Sequence, residues 1–82
     1  MDKTIRLKVK KELSSLHEKS ILHLKGQLIL KNYTEIIHIS DEGEEYYINS
    51  FITLPERKDD VIIFIRAYQQ EKSLNEILEI LL

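Results

Sequence analysis

The chain of 82 residues contains no cysteine. This absence excludes a disulfide framework, a thiolate zinc site and a cysteine nucleophile, so the fold must be stabilised by packing. Glycine occurs only twice, which argues against a glycine-rich loop around a phosphate. No apolar run approaches the roughly 18 residues that span a bilayer, and the N-terminus lacks the apolar core of a secretory signal. A cytoplasmic location without a membrane partner is the resulting expectation.

The residues that are present have the composition of a folded protein. Hydrophobic residues make up 43% of the chain and charged residues 32%, which is too apolar for a disordered protein. A chain of this length forms one core, so residues 1–82 are predicted to be a single domain. Isoleucine occurs 13 times and leucine 12 times, whereas alanine occurs once, a skew toward AT-rich codons that suggests a bacterial or phage origin.

The charge is divided unevenly along the chain. Residues 1–32 carry eight Lys or Arg against three Asp or Glu, and residues 33–82 carry four against eleven. The candidate residues for contact with nucleic acid or an acidic partner are Arg6, Lys8, Lys10 and Lys11. Two features favour other roles: this segment has no aromatic residue before Tyr33, and lysines of this kind also protect edge strands.

Alternation of apolar and polar residues predicts strands in the first half. The stretch "TIRLKVK" predicts a strand over 4–10, although every fourth apolar residue also falls on one helical face. Residues 11–18 are compatible with a helical turn or a loop. Over 20–32 four leucines keep one phase around Gly26, which predicts a long strand bent at that glycine, or a hairpin turning there. The long strand is favoured.

The acidic stretch "HISDEGEEYYI" is predicted to be the turn of a hairpin. A three-residue loop from Asp41 to Gly43 would pair Ile39 with Glu45. An even-length loop around Glu42 and Gly43 would instead pair Ile39 with Tyr46. The even-length register is favoured because it keeps the apolar residues of both strands on one face.

No set of side chains has the spacing of a metal or catalytic site. The acids of "DEGEE" lack the spacing of a calcium loop, and the histidines at 17, 23 and 38 lack that of a zinc site. There is no nucleophile elbow, and neighbouring acids such as Asp59 and Asp60 are usually solvated. We therefore expect no metal, no cofactor and no enzymatic activity.

The second half predicts a last strand and a helix. "VIIFIRAY", residues 61–68, is the strongest strand pattern, and "SLNEILEILL" combines the capping box of Ser73 and Glu76 with a helical apolar stripe. The predicted fold class is α+β, with an antiparallel sheet of about five strands, a meander or a small partly closed barrel, and a C-terminal amphipathic helix. This order resembles a shortened pleckstrin-homology-like or SH3-like barrel in its pattern alone, which implies no function.

The functional hypothesis rests on uncovered apolar surface. A strand with apolar side chains on both faces must be shielded from solvent on both sides, and one short helix shields only one side. The candidate protein interface is therefore Ile62, Phe64, Arg66 and Tyr68, to be covered by a second copy or another protein unless the sheet closes into a monomeric barrel. The predicted function is that of a non-enzymatic small regulatory or adaptor protein that acts through protein–protein binding and self-associates as a homodimer. The alternative is nucleic-acid binding through the basic N-terminal segment.

Overall fold

A computed structural model describes residues 3–81 as a four-stranded antiparallel sheet with two helices packed on one face. In chain order the elements are β1 (Thr4–Lys10), α1 (Ser15–Leu30), β2 (His38–Glu42), β3 (Tyr46–Ile52), α2 (Lys58–Glu71) and β4 (Leu78–Leu81). One turn of 3-10 helix, Pro55–Arg57, leads into α2. The strands lie in the order β2-β3-β1-β4. This is the ferredoxin-like arrangement of two split β-α-β units.

The predicted α+β class and the antiparallel sheet are confirmed. Within residues 3–81 there are four strands where about five were expected. The strand order is not that of a meander, because β1 lies between β3 and β4. The sheet is also open, with β2 and β4 as its edges, so it is not a partly closed barrel. The strand predicted over 4–10 coincides with β1.

The strand predicted over 20–32 is wrong, because this segment forms most of α1. Ile21, Leu24 and Leu28 are buried at helical spacing, and two of them also belong to the alternating pattern that suggested a strand. The helix begins after Ser14, whose Oγ accepts a hydrogen bond of 3.2 Å from the backbone N–H of His17. Residues 11–18 thus contain both a loop and the first helical turn.

The strand predicted over 61–68 is also wrong, because these residues lie in α2. Val61, Ile65 and Tyr68 are buried at i, i+4 and i+7, whereas Ile63 is 65% exposed. Asp59 and Asp60 lie in the first turn, where negative charge stabilises a helix. Packing of one helical face against the sheet outweighs the strand preference of the isoleucines.

The helix predicted at the end of the chain is replaced by a turn and by β4, and Leu82 lies outside the described residues. Ser73 ends α2 instead of starting a helix: its φ is 57°, in the left-handed region. The N–H of Leu74 donates to the carbonyl of Gln69 at 2.8 Å, which is the closing bond of a Schellman motif. The amphipathic helix of the C-terminal half is therefore α2.

The β2–β3 hairpin has a three-residue loop, Gly43 to Glu45, and Gly43 adopts a φ of 70°. Ile39 lies opposite Asn49, so both registers considered from the sequence are wrong. The apolar residues do not set this register, because β2 is exposed along its whole length and contributes little to the core. Consequently Tyr46 and Ile48 point away from the helices, and Asn49 and Phe51 point toward them.

The core lies between the helices and the inner face of the sheet. Its buried hydrophobic residues are Ile5, Leu7, Val9, Ile21, Leu24, Leu28, Phe51, Val61, Ile65, Tyr68, Leu74 and Leu78. Two buried side-chain oxygens of the described residues, Oδ1 of Asn49 and Oγ1 of Thr53, have no hydrogen-bond partner. A buried acceptor or hydroxyl without a partner lowers stability.

We expect Thr53→Val to raise the free energy of unfolding by about 1 kcal/mol, because it removes the unpartnered hydroxyl at nearly constant volume. Urea denaturation followed by circular dichroism measures the change. Thr34→Val is the matched control: Oγ1 of Thr34 donates to the carbonyl of Ile36 at 3.2 Å, so this variant should lose stability. A loss at Thr53 as well would show that its hydroxyl has a partner in solution.

Candidate functional site

The four residues of the predicted protein interface lie on α2, and the structure does not bring them together on one surface. Positions two apart on a helix differ by about 200° in direction. Tyr68 is buried, Ile62 and Phe64 are half-buried against the core, and Arg66 is exposed. Phe64 lies in an aromatic group, with ring centroids 5.9 Å from Tyr33 and 6.3 Å from Tyr68.

Tyr68 joins the two helices. Its hydroxyl donates to the backbone carbonyl of Ser20 at 3.0 Å. Nδ1 of His23 lies 2.8 Å from the same hydroxyl, and it must donate because the hydroxyl proton is already used. Burial raises the pKa of Tyr68, and the nearby carboxylate of Glu71 adds to this effect. These contacts explain Tyr68 as a structural residue.

Three of the four predicted basic residues share one surface. Arg6, Lys8 and Lys10 alternate with the buried residues of β1 and therefore point away from the helices. Lys11 follows the strand and is already engaged: its Nζ lies 2.9 Å from Asp41 and 3.0 Å from the carbonyl of Gly43. The available row is thus Arg6, Lys8 and Lys10.

These residues belong to the open face of the sheet, which we define as the side opposite the helices. Strand pairing places Arg6 beside Ser50, Lys8 beside Ile48 and Lys10 beside Tyr46. The rest of the open face is formed by Thr4, Ile52, His38, Ser40, Glu42, Glu79 and Leu81. Nζ of Lys8 lies 4.4 Å from the centroid of the Tyr46 ring, a cation–π contact.

The sequence did not reveal a second surface, which lies on α1. Leu22 is 66% exposed and Ile29 is 45% exposed, one on each side of Lys25 at helical spacing. Leu22, Lys25 and Tyr47 of β3 line one small cavity, so this side of α1 faces the inner side of β3. We call Leu22, Lys25, Ile29, Ile39 and Tyr47 the edge surface. In the sequence, the helical spacing of Leu22 and Ile29 indicates this surface. The strand predicted over 20–32 instead places the two residues on opposite faces.

The edge surface is largely apolar, and the solvent exposure of its residues varies. Ile39 of β2 is 57% exposed. Lys25 is half-buried, and this burial lowers its pKa because its ammonium group is partly withdrawn from water. A lysine in such a position covers apolar surface with its stem while its charge stays near water.

The remaining predicted features are solvated. Asp41 to Glu45 are exposed at the tip of the hairpin.

Within residues 3–81, no three histidine or acidic side chains are close enough together to hold a metal ion. No helix of the described residues has the length and apolar character needed to cross a bilayer.

Comparison of the sequence with models of known protein families and with curated proteins found no match. Any functional proposal therefore depends on the geometry of the open face and of the edge surface.

Proposed function

We propose that this protein is a small non-enzymatic regulatory or adaptor protein that acts through protein binding and forms a homodimer. The observation that supports this is the edge surface: Leu22 and Ile29 of α1 and Ile39 of β2 are exposed, and β2 is an edge strand that is exposed along its whole length. Exposed apolar side chains at a free sheet edge mark a candidate site of association.

The two edges of the sheet differ in how well they are protected. At β4, the N–H of Leu78 donates to the carbonyl of Leu74 at 2.9 Å, and Nε2 of Gln69 donates to the carbonyl of Leu78. These bonds occupy backbone groups that would otherwise accept an added strand. β2 is an edge strand of five exposed residues, so it is the better template for pairing with another chain.

Antiparallel pairing of two β2 strands about a two-fold axis would extend the sheet across the dimer. With the axis at Ile39, the two copies of this residue meet on the helix side of the sheet. Leu22 and Ile29 of each copy belong to α1, which lies on the same side of the sheet as these two isoleucines. The register also separates the two acidic ends at Asp41 and Glu42, because like charges directly opposite each other destabilise strand pairs.

We expect light scattering to give twice the chain mass of 9.7 kDa at high protein concentration, and a lower mass on dilution. Ile39→Lys should give a monomer, because it places a charge on the inward side of the edge strand. The matched control is Ile63→Lys on α2, the same change at a residue that is 65% exposed. It should remain dimeric.

Thermal melting of both variants checks that each is folded. The proposal is wrong if the unmodified protein is monomeric at every concentration. It is also wrong if Ile63→Lys dissociates the dimer as fully as Ile39→Lys does, since the interface would then lie elsewhere.

A further inference from the structure

β1, one of the two central strands, carries a row of positive charges on the open face. Arg6, Lys8 and Lys10 project outward from β1, with Arg6 and Lys10 exposed. Residues on one side of a strand are spaced by about 7 Å, so the three charges extend over about 14 Å. Within residues 3–81, no helix covers this side of the sheet, because both helices contribute to the core on the other side. A row of this kind matches an extended chain of negative charges.

Beside this row, β3 presents a surface suited to a flat ring. Tyr46 lies next to Lys10 in the strand pairing, and Ile48 lies next to Lys8. The ammonium of Lys8 already lies 4.4 Å from the Tyr46 ring centroid, so a cation and an aromatic face share one location. Proteins that bind single strands combine these two elements: cations follow the phosphates, and bases stack on aromatic rings.

Acidic residues limit the positive row on both sides. Glu79 of β4 lies opposite Lys8, and Glu42 of β2 lies opposite Tyr46. The strip between these acids, which we call the track, is thus only two strands wide: β1 supplies its positive charges and β3 its neutral side chains. A duplex would bring its second strand over these carboxylates, and the open face has no helix to insert into a groove. The width and flatness of the track therefore favour one strand over two.

We infer that the open face binds single-stranded nucleic acid, with phosphates on Arg6, Lys8 and Lys10 and a base stacked on Tyr46. This activity goes beyond self-association and does not use the apolar edge surface. An acidic peptide would satisfy the same cations, but it has no base to stack on Tyr46. The contribution of Tyr46 thus distinguishes the two ligands.

The direct test is fluorescence anisotropy of a short labelled oligouridine titrated with the full chain at increasing salt. Neutralisation of about three phosphates on a single strand predicts that log affinity falls with log salt with a slope of about −2. Lys10→Ala, at an exposed position, should reduce that slope by about 0.7. Replacing Arg6, Lys8 and Lys10 together by alanine should abolish binding. The control replaces Lys19, Lys31 and Lys72, which carry the same charge at other exposed sites, and it should retain binding.

The stacking contact has its own pair of variants. Tyr46→Ala should weaken oligouridine binding about tenfold, and Tyr46→Phe should leave it nearly unchanged because the ring remains. The inference is overturned if oligouridine does not bind at low salt or if the two triple variants lose binding equally. Equal affinity for a duplex would also overturn it. Binding of polyglutamate that is insensitive to Tyr46→Ala, without oligouridine binding, would assign the face to an acidic protein instead.

Discussion

Replacing Phe51 by alanine is expected to lower the free energy of unfolding by about 3–5 kcal/mol. Phe51 is 1% exposed, lies opposite Ile5 in the strand pairing and is the largest of the fully buried side chains. Its loss leaves a cavity between the sheet and the helices that the surrounding side chains fill only in part. The total stability of a domain of this size is about 4–12 kcal/mol, so the variant should be largely unfolded at moderate urea.

Urea denaturation followed by circular dichroism measures this effect, and Ile52→Ala is the matched control. Ile52 is the next residue on β3, points to the open face and is 64% exposed. Its replacement should change stability by no more than about 0.5 kcal/mol. Comparable losses at positions 51 and 52 would contradict the assignment of the two faces of β3.

The second large effect is expected from Leu78→Asp, which should unfold the protein. Leu78 is 1% exposed and points into the core from β4, opposite Val9. A carboxylate there would be buried without a partner, in addition to the loss of apolar contacts, and such changes cost about 4 kcal/mol or more. Loss of the cooperative urea transition is the expected observation.

Leu81→Asp provides the contrast, because it distinguishes a strand from a helix at this end of the chain. In the predicted helix, Leu78 and Leu81 lie on the same apolar face and both substitutions would be severe. In β4 they lie on opposite faces, and Leu81 is paired with Arg6 on the open face. Asp at position 81 should therefore be tolerated, since it adds a carboxylate beside a guanidinium. Equal damage at both positions would support the helix.

The strand over 4–10 could be predicted from the sequence because a period of two fits it best, and because its two faces have different surroundings. Ile5, Leu7 and Val9 face the core, and the charged residues between them face solvent. The same alternation placed Arg6, Lys8 and Lys10 on one side of a strand. The basic half of the candidate site was thus accessible from local pattern alone.

The edge surface could not be predicted, because the segment that supplies its α1 residues satisfies two periods at once. Leu24 and Leu28 are four residues apart, so they lie on one side of either a strand or a helix. Only contact with the sheet, from residues distant in the chain, decides between them. Once the segment was assigned to a strand, Leu22 and Ile29 appeared on different faces, and their common surface was hidden.

The interface predicted at Ile62, Phe64, Arg66 and Tyr68 also depended on the choice of period. Their common face depended on a period of two, whereas in α2 Ile62 and Arg66 point to one side of the helix and Phe64 and Tyr68 to another. The capping box at Ser73 and Glu76 was misleading for a different reason. Serine is frequent at helix starts, yet here its left-handed φ of 57° completes a helix end.

The central position of β1 has a consequence for how the protein folds. The β2–β3 hairpin closes across three loop residues and can form locally within microseconds. β1 must pair with both β3 and β4. Val9 of β1 pairs with Leu78 of β4, so most of the chain lies between these two strands in sequence. Contacts this distant in sequence slow folding, because loop-closure entropy is lost before the contacts are gained. We expect docking of β1 to set the folding rate, and a fragment that ends before β4 to remain unfolded.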